Sequence, residues 1–90
     1  MRRYLSLAEL EAALRGALAP TALQVIDDSS QHIGHAGARE GGHYTVRITS
    51  ARFAGLTRIA RHRLVYDALQ PLMPGGIHAL AIDARAPDEA

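Results

Sequence analysis

The sequence predicts an α+β fold in the order helix, strand, strand, helix, strand, with two helices on one face of a three-stranded mixed sheet. Three patterns carry this. Leucines recur at helical spacing near the start, Tyr44, Val46 and Ile48 alternate strictly, and a second helical stripe is cut off at Pro71 before an apolar run at Ile77–Ala84.

Ser6-Leu7-Ala8-Glu9 has the form of a capping box, the serine covering free amides while Glu9 reaches back to it. Leu5 and Leu10 are spaced as a hydrophobic staple across that cap. Leu7, Leu10, Leu14 and Leu18 form the helical stripe, and Ala19-Pro20 ends it. Gly16 costs about 1 kcal/mol against alanine inside a helix, which points to close packing on a neighbour. Leu23 to Asp28 reads as a short strand. The stretch from Ser29 to Gly42 is glycine-rich and aperiodic, a loop too long for a tight hairpin, and loops of that length often carry function.

His43–Thr49 is the second strand, with Tyr44, Val46 and Ile48 inward and His43, Thr45 and Arg47 outward. The first two strands pair antiparallel. Ser50 to Gly55 makes a turn, and Thr57 caps a second helix with Val65, Ala68, Leu69 and Leu72 inward, extended one turn earlier by Arg61 or His62. Proline inside a helix loses a hydrogen bond and crowds the carbonyl four residues back, so the regular helix stops near Gln70. The last strand, Ile77–Ala84, returns through a right-handed crossover and lies parallel to the second. Ala86 to Ala90 reads as a polar tail.

Ninety residues make one small domain, near the lower end of what a single core stabilises without staples. With no cysteine the chain has no disulfide and offers no thiolate to a metal. No apolar run approaches the ~20 residues of a membrane span and no signal-peptide core is present, so a soluble, cytoplasmic protein is expected. The net charge of +1 hides an uneven distribution. All ten basic residues are arginine, and Arg47, Arg52, Arg58, Arg61 and Arg63 fall where Asp and Glu are missing.

Five histidines in ninety residues is a high share. His62, beside a helical stripe, and His43, opening a strand on its polar side, read as structural. His32 and His35 form an H-x-x-H in the glycine-rich loop. His78 follows a Pro-Gly-Gly turn at the start of the last strand, two residues before Leu80 and on its face. Imidazole suits zinc, copper, nickel or iron, and a loop donor and a sheet donor converging on one cleft would leave the remaining ligands to a partner. Arg52, Arg58, Arg61 and Arg63 form a cationic stretch suited to phosphate or to a partner's carboxylates. There is no phosphate-cradling glycine motif, nucleophile elbow or paired carboxylates at acid/base spacing, so no enzyme is predicted.

The blocks Ser50-Ala51-Arg52-Phe53-Ala54-Gly55, Arg61-His62-Arg63-Leu64-Val65-Tyr66 and Ile77-His78-Ala79-Leu80, together with Asp27-Asp28-Ser29, Gln31-His32-Ile33-Gly34-His35 and Gly42-His43-Tyr44, resemble the BolA family over nearly the whole chain. The resemblance implies a class II KH-like αββαβ fold. It also implies pairing with a monothiol glutaredoxin, and a [2Fe-2S] cluster held between the two proteins for iron–sulfur trafficking or iron sensing. In that scheme the glutaredoxin brings a cysteine and the thiolate of its bound glutathione. This chain brings His78 and either His32 or His35, with Gly34 and Ala36-Gly37 favouring His35; no cofactor is expected in the isolated chain. Histidine in place of thiolate raises a cluster's potential. The alternative that the family suggests is DNA binding and transcription regulation, with the Arg52–Arg63 segment on phosphates. A weak homodimer of the free chain is compatible with the sequence.

Overall fold

The computed structural model describes residues 6–28, 42–74 and 76–89, except for the side chain of His78. Leu5 and its staple, Gly75 and the loop 29–41 lie outside the described residues.

Helix α1 (Leu7–Leu18) begins at the expected capping box. Ser6 Oγ accepts from the Glu9 amide at 3.2 Å, and the Ser6 amide donates to Glu9 Oε2 at 2.9 Å. Leu10, Leu14 and Leu18 are buried, whereas Leu7, ahead of the first full turn, is 37% exposed. Gly16 is not a packing glycine: a methyl added there would meet nothing within 4 Å. The helix closes at Ala19, which holds a left-handed φ of 44° while its amide donates to the Arg15 carbonyl. Pro20 disfavours a helical conformation for Ala19, and the left-handed turn satisfies a carbonyl that would otherwise be left open.

Strand β1 (Ala22–Asp27) runs antiparallel to β2 (Gly42–Thr49), with Val25 opposite Val46. Strand β3 (Ile77–Arg85) lies on the other side of β2 and parallel to it, giving the order β1-β2-β3. Directly opposed residues share a face, so Leu23, Val25, Tyr44, Val46, Ile48, Leu80, Ile82 and Ala84 look the same way. That face carries the core, which also takes in Leu10, Leu14 and Leu18 of α1 and the inner residues of the second helix. On the opposite face Gln24, Arg47, Ala79 and Ala81 are exposed, while Ile26, His43, Thr45 and Asp83 are half-buried. The α+β arrangement and the mixed pairing are those the sequence predicts.

Between β2 and the second helix, Ala51–Phe53 forms one turn of 3-10 helix with Phe53 fully buried. Gly55 follows at a φ of 76°, which favours glycine. Helix α2 (Arg58–Leu69) is capped by Thr57, whose hydroxyl accepts from the Ala60 amide at 3.1 Å. Val65 and Leu69 are buried, and Ala68, Leu72 and Met73 pack against the core. Pro71 sits in a 3-10 turn, Gln70–Leu72, just beyond the helix, as its missing amide requires.

The polar tail is part of the fold. Ala86 is 1% exposed and Pro87–Glu89 forms a further 3-10 turn. Its side chain Glu89 returns to α2, where Arg61 grips it.

Candidate functional site

Strand β3 does not pair evenly. Gly42 is opposite Ile77 and His43 is opposite Ala79, so His78 is an extra residue in the ladder. Bulges are uncommon in parallel pairs and tend to occur where a side chain must be re-aimed. The bulge also changes the parity of the strand. Ile77 is 7% exposed and in the core, yet Leu80 and Ile82, at odd spacing from it, pack against the same core. The strict alternation of Leu80 and Ile82 therefore does not extend back to Ile77. An even hydrophobic pattern gives no sign of such a step.

Both roots of the histidine-bearing loop are tied to this end of the sheet. The Gly42 amide donates to the Gly76 carbonyl at 3.1 Å, and the Asp28 amide donates to the His43 carbonyl at 2.7 Å. Thr45 Oγ1 donates to Asp28 Oδ2 at 2.6 Å, fixing the other root a second time. His32 and His35 lie outside the described residues, and His78 is described by its backbone alone. The topology thus brings the strand position of His78 and the two anchors of the loop together. Among the described residues, no three His, Cys, Asp or Glu side chains cluster as a metal site would need. His43 is half-buried opposite Ala79.

The arginines separate into two groups. Arg52, Arg58 and Arg63 are exposed. Arg61 is not offered to a partner, and here the sequence reading needs correction. Its side chain is 12% exposed and makes a fork to Glu89, with Nη1 at 2.5 Å from Oε1 and Nη2 at 2.7 Å from Oε2. Nε donates to the Leu56 carbonyl at 3.0 Å and Nη1 to the Ala84 carbonyl at 3.3 Å. One guanidinium therefore joins the turn before α2, the end of β3 and the terminal turn. The spacing of arginines along the chain could not show this, because the acid lies 28 residues away.

The hydrogen bonds from Arg61, and then that from the Ala86 amide, hold the Glu89 carboxyl down at about 2 from an ordinary value of 4.5. The Arg61 pKa is raised by the same pair. A depressed carboxyl stabilises the fold above its unfolded pKa, and that stability is lost as pH falls through the folded value. Acid unfolding should therefore gain from this pair between pH 4.5 and about 2, and Glu89→Gln should flatten the pH dependence there. Circular dichroism melts at stepped pH would show it; identical curves for both proteins would contradict it.

A depression of about 460 Å³ between α2 and β3 is lined by Arg58, Arg61, His62, Ile82 and Asp83. His62 is half-buried in its wall. No helix among the described residues is long and apolar enough to cross a membrane.

A family model for the BolA-like protein matches residues 14–89. The chain is 45% identical over 83 residues to an uncharacterised protein in the cobS 5′ region of Sinorhizobium sp, with 89% of each chain covered. It is 44% identical over 78 residues to SufE-like protein 1, chloroplastic/mitochondrial, of Arabidopsis thaliana, covering 80% of this chain but only 21% of that protein. Among solved structures, BolA1 from Arabidopsis thaliana superposes with a TM-score of 0.82 at 36% identity over 96% of both chains. From α1 to the terminal turn, the chain belongs to the BolA-like family.

Proposed function

We propose that the chain is a non-enzymatic, cytoplasmic partner of a monothiol glutaredoxin, and that the two share a [2Fe-2S] cluster in transit between proteins. The observation that supports this best is the bulge: the position of His78 is singled out in β3 at the same end of the sheet that anchors the loop of His32 and His35. The donor chemistry fits. This chain has no thiolate but has imidazoles, and a partner supplying thiolates would complete the set. A cargo held by donors from two proteins is released when they part, which suits delivery or iron sensing better than storage.

The test is co-expression with a monothiol glutaredoxin, followed by visible absorption and circular dichroism of the purified pair. The wild-type pair should carry cluster bands. His78→Ala should abolish them, and one of His32→Ala and His35→Ala should weaken them, naming the loop donor. A spectrum unchanged by His78→Ala would overturn the reading.

A second reading rests on Arg52, Arg58 and Arg63, which are exposed. Three cations on phosphates would give duplex affinity falling steeply with salt. Replacing Arg58 and Arg63 should abolish it, and no binding at low salt by the intact protein would remove this reading.

A further inference from the structure

Gly42 is buried, and it does not owe its place to backbone freedom: the described glycine with positive φ is Gly55. What it supplies is space. A Cβ built on residue 42 would stand 2.5 Å from Cε2, Cζ and Oη of Tyr44, far inside contact distance. Residues 42 and 44 share a face of β2, so the phenol ring folds back over the bare α-carbon and fills the volume of the missing side chain. Aromatic rings cover strand glycines in this way. The ring has little room to leave, since Tyr44 is 5% exposed and burial pushes its phenol pKa up.

On its other side Gly42 is held by its amide to Gly76 and by its pairing with Ile77. The next step along β2 is the one at which His78 becomes the extra residue of β3. Gly42 thus lies between a fixed ring and the strand that carries the bulge. A side chain at 42 must either drive the Tyr44 ring out of the core or push β2 away from Gly76. Both moves disturb the register step.

We propose that Gly42, under the Tyr44 ring, is the positioning residue that sets the bulge at His78 and with it the root of the histidine-bearing loop. The geometric half of this stands alone; its functional consequence rests on the shared-cluster reading.

The experiment compares Gly42→Ala, Tyr44→Leu and the double variant in the isolated chain. It follows the His78 ring Cε1–H signal, assigned with His78→Ala, and the amides of residues 76–79 by NMR. Gly42→Ala should shift both sets of signals. The double variant, which removes the three obstructing ring atoms, should return them to the positions seen in Tyr44→Leu. In the co-expressed pair, Gly42→Ala should lower cluster content about tenfold or more, the range for losing a group that orients a metal ligand, and the double variant should recover it. Unshifted signals in Gly42→Ala, or a double variant as displaced as Gly42→Ala, would overturn the proposal. If Gly42→Ala does not fold, the double variant decides: folded with Tyr44→Leu-like signals it supports the steric account, and unfolded it refutes it. A wild-type pair without cluster would remove the shared-cluster reading and leave the NMR comparison to decide the role of Gly42.

Discussion

Phe53→Ala should destabilise the protein by about 3–5 kcal/mol, the range for truncating a buried phenylalanine. Phe53 is fully buried and is the sole phenylalanine of the chain. It sits in the short turn between β2 and α2, so its ring enters the core beside residues from both helices and the sheet. A small domain holds together by roughly 5–15 kcal/mol in all, so the variant should be partly unfolded at moderate temperature. At about 4–8 °C per kcal/mol for a domain of this size, thermal and urea melts would register the loss easily. Phe53→Leu should cost far less, since apolar bulk is kept. A change below about 1 kcal/mol in the alanine variant would show that the site collapses without leaving a cavity.

Ser50→Ala should be the next most damaging of these changes, although it removes a single oxygen. The Ser50 hydroxyl is fully buried, donates to the Leu18 carbonyl at 2.6 Å and accepts from the Arg52 amide at 3.1 Å. Leu18 ends α1, where carbonyls lack partners within the helix. Alanine would leave an acceptor and a donor unmatched together, for about 1–3 kcal/mol. Denaturant melts would give the loss, and hydrogen exchange at the Arg52 amide should quicken more than at the Val46 amide in mid-strand. Equal exchange at both sites would mean that the turn and helix end do not depend on this hydroxyl.

These two residues show why the Ser50–Gly55 block is so readable in sequence. Its serine accepts from the Arg52 amide two residues on and its glycine holds a left-handed φ, both local demands. The bond from Ser50 to Leu18, 32 residues away, is not visible in the block. Capping at Ser6 and Thr57 and the stop at Pro71 are local demands too, and the structure agrees with the sequence at each. Disagreement arises where the determinant is distant in the chain. Gly16 faces open space, because only tertiary placement decides whether a helical glycine is pressed by a neighbour. Arg61 looks like part of a cationic stretch until Glu89 is brought to it by β3. The step at His78 falls between the pairs Gly42–Ile77 and His43–Ala79, and no periodicity within β3 encodes its partner strand. The candidate site was legible as residue types, therefore, and its geometry was not.

The two hydrogen-bonded roots at Asp28 and Gly42 enclose thirteen residues, 29–41. Closure entropy grows only with the logarithm of length, so doubling such a span costs about 0.6 kcal/mol. On chain entropy alone, a longer or shorter span between the same two roots changes the stability of the scaffold little. With Asp28 and Gly42 keeping their bonds, the span between them can change length at little expense to folding.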